Sequence, residues 1–240
     1  MKKTAITLFS GGLDSAVATL LARRRYKIAL ALTFDYGQRA ARQEIEAANA
    51  FCKHYKIHHE VIKLPWLHTI SHSSLTQSSK SLPTFEAREL GKKKNKEKKS
   101  ARAVWVPNRN AVFTNIAAAY AEAKRCDVIV AGFNAEEAVT FPDNSMRFIE
   151  TSNKLFSSST LSHPKLVSPT QKMKKIEIAR NAVKLKLIPD FFWSCYEGGA
   201  RMCGQCESCA RTIRAFRKIN AFGLIENRFT LLSHCERSLS

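Results

Sequence analysis

Residues 4–16 read Thr-Ala-Ile-Thr-Leu-Phe-Ser-Gly-Gly-Leu-Asp-Ser-Ala, and the rest of the chain is organised around them. Thr4 to Phe9 is a short β-rich apolar run of the kind that forms a buried strand. Beyond the glycines, Leu13, Val17, Leu20 and Leu21 recur on one helical face, which runs to Arg23-Arg24-Arg25, where cations suit a helix C-terminus. Ser10-Gly11-Gly12-Leu13-Asp14-Ser15 is therefore a strand-to-helix turn. Adjacent glycines let backbone N–H groups turn inward without Cβ clashes, and the helix offers unpaired donors and a positive dipole end to an anion. Ser10 and Ser15 add hydroxyls. Asp14 is repelled by phosphate, which points it to capping the helix or to holding Mg²⁺. Without Gly-Lys-Ser/Thr the loop is not of the Walker type, and it lacks the three spaced glycines of a dinucleotide turn. An ordinary capped turn is the competing reading.

The surrounding pattern repeats the same alternation. Residues 28–34 read as a second strand, 39–55 as a helix and 57–64 as a third strand, which predicts an open parallel α/β sheet with helices on both faces and right-handed crossovers. Residues 65–104 break the rhythm, being rich in Ser, Lys and Pro, and read as a long, partly mobile insertion lying over a site. Order returns at Val104, with a helix at 111–125, a strand at 127–132 ending on Gly132, a helix near 145–157, a strand at 165–167 and a helix near 172–184. From about residue 189 the composition shifts to Cys, Gly and Arg. The expected division is an α/β domain over 1–188, with a basic insertion at about 65–104, and a C-terminal subdomain over 189–240.

That subdomain carries Cys195, Cys203, Cys206 and Cys209, spaced C-x7-C-x2-C-x2-C. Four thiolates this close can surround one Zn²⁺ tetrahedrally, and four protein ligands leave no open position, so the expected site is structural. Arg201, Arg211 and Arg214 are candidates to offset the anionic complex. An iron–sulfur cluster and a redox thiol pair are the rival readings. Cys52 and Cys126 read as small buried residues, and Cys235 stands alone.

The chain has 39 Lys plus Arg against 20 Asp plus Glu, a formal net charge of +19 over 240 residues. With 45% hydrophobic and 25% charged residues it has a globular, not a disordered, composition. Residues 91–102 hold six Lys, one Arg and one Glu, a net of +6, so the other 228 residues (240 − 12) keep +13. The lysine run reads as a solvated loop; a polyanion contact is the sharper alternative, although the run has no aromatic on which bases could stack. No apolar run reaches membrane-spanning length and the start is too short in apolar residues for a signal peptide, so a cytoplasmic, non-membrane protein is expected. Seven cysteines fit that expectation as metal ligands or free thiols.

The loop at 10–15 resembles the SGGxDS pyrophosphate loop of the ATP pyrophosphatase superfamily. Thr33-Phe34-Asp35-Tyr36-Gly37-Gln38, Val106-Pro107-Asn108-Arg109-Asn110, Gly132-Phe133-Asn134-Ala135, Phe141-Pro142-Asp143 and the four cysteines together resemble one family, the 7-cyano-7-deazaguanine synthases. The resemblance runs from residue 4 to about 214. It implies an adenine-nucleotide α-hydrolase-like, Rossmann-type fold and a homodimer. It also implies ATP-dependent conversion of 7-carboxy-7-deazaguanine and ammonia to the nitrile, in queuosine biosynthesis, with Mg²⁺ and one structural Zn²⁺ per chain. Nucleic acid is not required. Phe9 to Ala16 then bind ATP together with Asp35, Gln38, Arg109 and Gly132, with Ser10, Asp14 and Ser15 as the catalytic candidates.

The chain also departs from the family pattern. Asn108 replaces a glycine and still tolerates a left-handed backbone, and Glu137 takes the place of the family's acidic residue. Asn144 and Ser145 replace a cysteine and an arginine, for which Arg147 is a candidate substitute. Two other functions fit the same residues: activation of a base in tRNA by a related enzyme, and a non-catalytic zinc module that binds nucleic acid.

Overall fold

A computed structural model describes residues 2–230. Five parallel strands, β1 (Thr4–Leu8), β2 (Lys27–Asp35), β3 (His58–Lys63), β4 (Val128–Val130) and β5 (Lys165–Val167), form one sheet in the order β3-β2-β1-β4-β5. The order reverses between β1 and β4, so the crevice beyond their carboxyl ends is where an open α/β sheet binds ligands. Loop 9–12 sits there, with Phe9 N donating to Leu32 O (2.8 Å). Cys235 lies outside the described residues.

Helices α1 (Leu13–Ala22) and α2 (Ala41–Tyr55) follow the first two strands, and α3 (Pro65–Ile70), α4 (Lys94–Ala103) and α5 (Arg109–Ala123) lie between β3 and β4. α6 (Met146–Ser159), α7 (Lys175–Lys184) and α8 (Glu207–Lys218) complete the set. One face of the sheet buries Leu13 and Val17 of α1, Phe51 of α2, Ile178 of α7 and Ile213 of α8. The other buries Ala117 of α5 and Ile149 and Phe156 of α6 against Ile6, Leu32 and Ile129. Helices therefore cover both faces, as the alternation of sequence pattern requires. The cysteine-bearing segment belongs to the first cluster, where Cys195, Met202, Cys206 and Cys209 pack with Phe9 and Leu13.

The insertion is more regular than its composition suggests. The lysine run, expected as a loop, is mostly helix α4. Lys, Glu and Ala are strong helix formers, Ser100 and Ala101 face inward, and Glu89 relieves the like charge by pairing with Lys93 and Lys96. Phe85 and Leu90 pack on Ala210 of α8, and Phe85 N donates to Gln205 O (2.8 Å). The insertion thus lies across the cysteine segment, and Leu75 and Val104 bring it to the central cavity. α8 has the apolar stripe of an amphipathic helix, but its cysteines and arginines hid that stripe in the sequence.

Two glycines set the tightest approaches. Gly11 has φ +72°, and a Cβ there would overlap the Glu44 carbonyl of α2; a Cβ on Gly132 would sit 2.7 Å from Ser15 N. Gly11→Ala is expected to cost about 3 kcal/mol, from left-handed strain plus that overlap, measured as a lowered urea midpoint with unchanged slope.

Candidate active site

A cavity of about 250 Å³ opens at the carboxyl ends of β1, β2 and β4. Ser10, Gly12, Leu13, Asp14 and Ser15 form one wall with Phe9 and Gly132, and Arg109 lies across from them. Ser10 Oγ is 3.2 Å from Ser15 Oγ, Ser15 Oγ donates to Gly12 O (3.0 Å), and Trp193 N fixes the loop by donating to Gly11 O (2.7 Å). The first-turn residues Leu13, Asp14 and Ser15 of α1 line this space, and first-turn N–H groups have no intrahelical acceptor, which suits an anion. The structure therefore joins the loop, Arg109 and Gly132 in one cavity. Gly11 and Ala16 lie behind the lining, as do Asp35 and Gln38.

Asp14 does not cap α1, whose N-terminus has no side-chain cap. Its carboxylate accepts from Lys175 Nζ (2.8 and 2.7 Å) and from Asn134 Nδ2 (3.0 Å). Burial raises the Asp14 carboxyl, and the charge of Lys175 opposes that rise. Lys175 was not singled out in the sequence. The available signal was a cation at the first position of a helix, where the dipole disfavours it unless an anion answers it.

Gln38 is buried, with every polar atom spoken for. Its Oε1 accepts from Tyr36 N (2.9 Å), while Nε2 donates to Phe34 O (3.0 Å) and to Glu44 Oε2 (2.9 Å). Gln38 thus aims Glu44, which does line the cavity. Asp35 Oδ1 accepts from Gly37 N (3.1 Å), tightening the same turn. Arg109 Nη1 donates to the Tyr36 hydroxyl (3.0 Å), and Asn108 ahead of it has φ +53°, the left-handed conformation its amide side chain tolerates. Arg147 lies exposed on α6, away from the cavity lining, and does not fill the place of the missing arginine.

Burial pushes the Glu44 carboxyl from 4.5 up to about 7, with Gln38 and Arg109 opposing the rise. Between those values the folded chain binds more protons than the unfolded one, so stability falls as pH rises from about 4.5 to about 7. Glu44→Gln removes that loss. The variant is expected to match the parent near pH 4.5 and to exceed it by up to about 3 kcal/mol at pH 8, read from urea unfolding at both pH values.

At the cavity's edge, a chain of hydrogen bonds and ion pairs ties the insertion to the site. Ser100 donates to Glu207, Arg211 donates to Glu207 Oε1 (2.6 Å) and Glu136 Oε2 (3.1 Å), and Arg214 also reaches Glu136 (2.8 Å). Arg211 and Arg214 are therefore committed to carboxylates and do not offset the cysteines, while Arg201 is exposed.

The four cysteine sulfurs all lie within 4.8 Å of one another, a cluster that can hold a metal ion. Cys203 to Cys209 is 3.9 Å and Cys195 to Cys206 is 4.0 Å. A tetrahedron with metal–sulfur bonds of about 2.3 Å has edges of about 3.8 Å, so the set fits a single ion; an iron–sulfur cluster spreads its thiolates farther. Backbone N–H groups take the role expected of arginines: Glu197 and Cys203 donate to Cys195 Sγ (both 3.3 Å), and Cys206 to Cys203 Sγ (3.3 Å).

A parallel α/β sheet with a glycine loop at its switch point, an open cavity in front of it and a four-thiol centre beside it defines a doubly wound α/β protein with a ligand crevice at its switch point. The family profile described as "Queuosine biosynthesis protein QueC" matches residues 4–220. A 7-cyano-7-deazaguanine synthase of Pelotomaculum thermopropionicum is 48% identical over 211 residues, covering 88% of this chain and 95% of its own. Another with the same description, from Methanosarcina mazei, is 45% identical over 90% of this chain and 94% of its own. A third, from Desulforudis audaxviator, is 49% identical over 88% and 96%. The chain belongs to the queuosine biosynthesis protein QueC family. It is an enzyme, which sets aside the non-catalytic zinc module. Among the described residues no helix is long and apolar enough to cross a membrane.

Proposed function

We propose that the chain converts 7-carboxy-7-deazaguanine to 7-cyano-7-deazaguanine with ATP and ammonia. The observation that carries this reading is the single cavity that unites an anion-binding loop, the Asp14–Lys175 pair and the half-buried cation Arg109. A carboxylate is a poor electrophile, and its oxygen leaves readily only after it takes an adenylyl or phosphoryl group from ATP. Ammonia displaces the first activated oxygen to give the amide, and a second activation removes the remaining oxygen to give the nitrile.

In this scheme the first-turn amides of α1, with the Ser10 and Ser15 hydroxyls, stabilise charge on the departing phosphates. Lys175 supplies a fixed cation at the same end. Phe9, Phe34 and Phe113 offer an apolar wall suited to adenine, and Arg109 suits a carboxylate or phosphate. Asp35 and Gln38 act indirectly, by shaping the turn and aiming Glu44. Much of the remaining rate comes from holding two reactants together.

Asp14 and Glu137 are the residues that would hold Mg²⁺, which neutralises phosphate charge when bound. Cys195, Cys203, Cys206 and Cys209 hold Zn²⁺ as a structural ion, and the segment from 189 is the unit organised by it. The protein acts in the cytosol as a homodimer on small molecules.

The test is incubation with ATP, Mg²⁺, ammonium and 7-carboxy-7-deazaguanine, followed by mass spectrometry. Nitrile that depends on both ATP and ammonium supports the reading. ATP consumption with the acid untouched would sink it and turn attention to a base in tRNA.

A further inference from the structure

Five carboxylates line the cavity: Asp14, Glu44, Glu137, Asp143 and Glu207. Three have committed partners, Asp14 with Lys175 and Asn134, Glu207 with Arg211 and Ser100, and Glu44 with Gln38. Glu137 stands at the phosphate end, where its charge acts on Asp14 and Lys175. Asp143 differs from all of these. It is 9% exposed, and its carboxylate is met by a long 3.4 Å contact from Asn144 Nδ2 and by the backbone N–H groups of Asn110 and of Asp143 itself, with no short side-chain hydrogen bond among the described residues.

The turn Pro142–Asn144 that carries it is pinned on both sides. Asn110 Nδ2 donates to Asp143 O (3.4 Å), and Gln171 Nε2 donates to Asn144 O (2.9 Å). Immediately before it, the Phe141 ring lies parallel to Trp105, with centroids 6.0 Å apart and planes 7° from parallel. Both rings line the cavity, so an offset-stacked aromatic pair shares the cavity with this buried carboxylate. Arg109, on the neighbouring helix, contributes a cation whose charge opposes the effect of burial on that carboxyl.

A guanine-type ring presents a ring N–H and an exocyclic amine side by side, two donors matched by the two oxygens of one carboxylate. A ring without the amine offers one donor and leaves a buried oxygen unpaired. We infer that Asp143 is the specificity-determining residue that selects a 2-amino-substituted deazapurine, packed against the stacked Trp105–Phe141 pair. This rests on the proposed reaction and names which edge of its substrate is read.

The test compares 7-carboxy-7-deazaguanine with its analogue lacking the 2-amino group, by kcat/KM and by calorimetric binding, in the parent, Asp143→Asn and Trp105→Leu. The parent is expected to prefer the amine-bearing acid by about 10²-fold or more, as a site built to bond a donor does. Asp143→Asn is expected to shrink the preference to a few-fold while KM for ATP stays within about twofold. Trp105→Leu weakens both acids alike and leaves the ratio intact, a contrast that a merely structural role of Asp143 would not produce. An Asp143→Asn enzyme that keeps the parent's ratio overturns this inference alone. A parent that fails to bind 7-carboxy-7-deazaguanine at all overturns it together with the proposed reaction.

Discussion

Lys175→Met is expected to lower kcat/KM for nitrile formation by roughly 10³-fold and to destabilise the protein by about 3–5 kcal/mol. The Lys175 and Asp14 side chains are 8% and 14% exposed, with Nζ 2.7 Å from the nearer carboxylate oxygen. Removing the cation strands a buried carboxylate, and that stranded charge is the larger part of the stability loss. Adding Asp14→Asn removes the stranded charge, so the double variant regains most of the stability. It does not regain activity, because the fixed charges at the phosphate end are gone. Urea unfolding and steady-state kinetics on the two single variants and the double variant separate these effects.

Stripping the four-cysteine cluster of the zinc proposed for it is the second large perturbation. The cysteine sulfurs sit in the same apolar cluster as Phe9 and Leu13 of the loop, and Trp193, two residues before Cys195, bonds the Gly11 carbonyl. A structural zinc site contributes about 10–16 kcal/mol of binding free energy, a large part of which is folding free energy. Cys206→Ser, or exhaustive chelation, is therefore expected to lower the melting temperature by roughly 10 °C or more and to release one zinc per chain. Loss of ATP binding should follow, since the loop loses its support. A chelated protein with an unchanged melting curve would show that the cluster does not carry a structural metal.

The strands and most helices were legible because their signals are local. Alternation of apolar runs and helical stripes places β1, α1, β2 and α2 within a residue or two of their observed ends. The loop at 10–15 was legible for the same reason, since its glycines and serines are adjacent in sequence. What was hidden depends on distant partners. α4 reads as a solvated lysine loop until Ser100 finds Glu207 and Glu89 answers two of the lysines. Lys175 is one of three lysines within four residues, and nothing local marks it as the one that reaches Asp14, 161 positions away. Gln38 shows the converse: its motif suggests a ligand contact, while the fold buries its amide in three internal bonds, one of them to Glu44. Arg147, near in sequence to the missing arginine, lies on the solvent face of α6 because helical periodicity turns it outward.

The account's central claim is that the substrate's carboxylate oxygens leave on phosphorus. Carrying 7-carboxy-7-deazaguanine labelled with oxygen-18 in both carboxyl positions through complete conversion tests it most directly. Mass spectrometry of the nucleotide and phosphate products should find both labels on phosphorus derived from ATP, one from each activation. Label recovered in water instead would contradict phosphoryl activation, and with it the role assigned to the loop, Lys175 and Asp14.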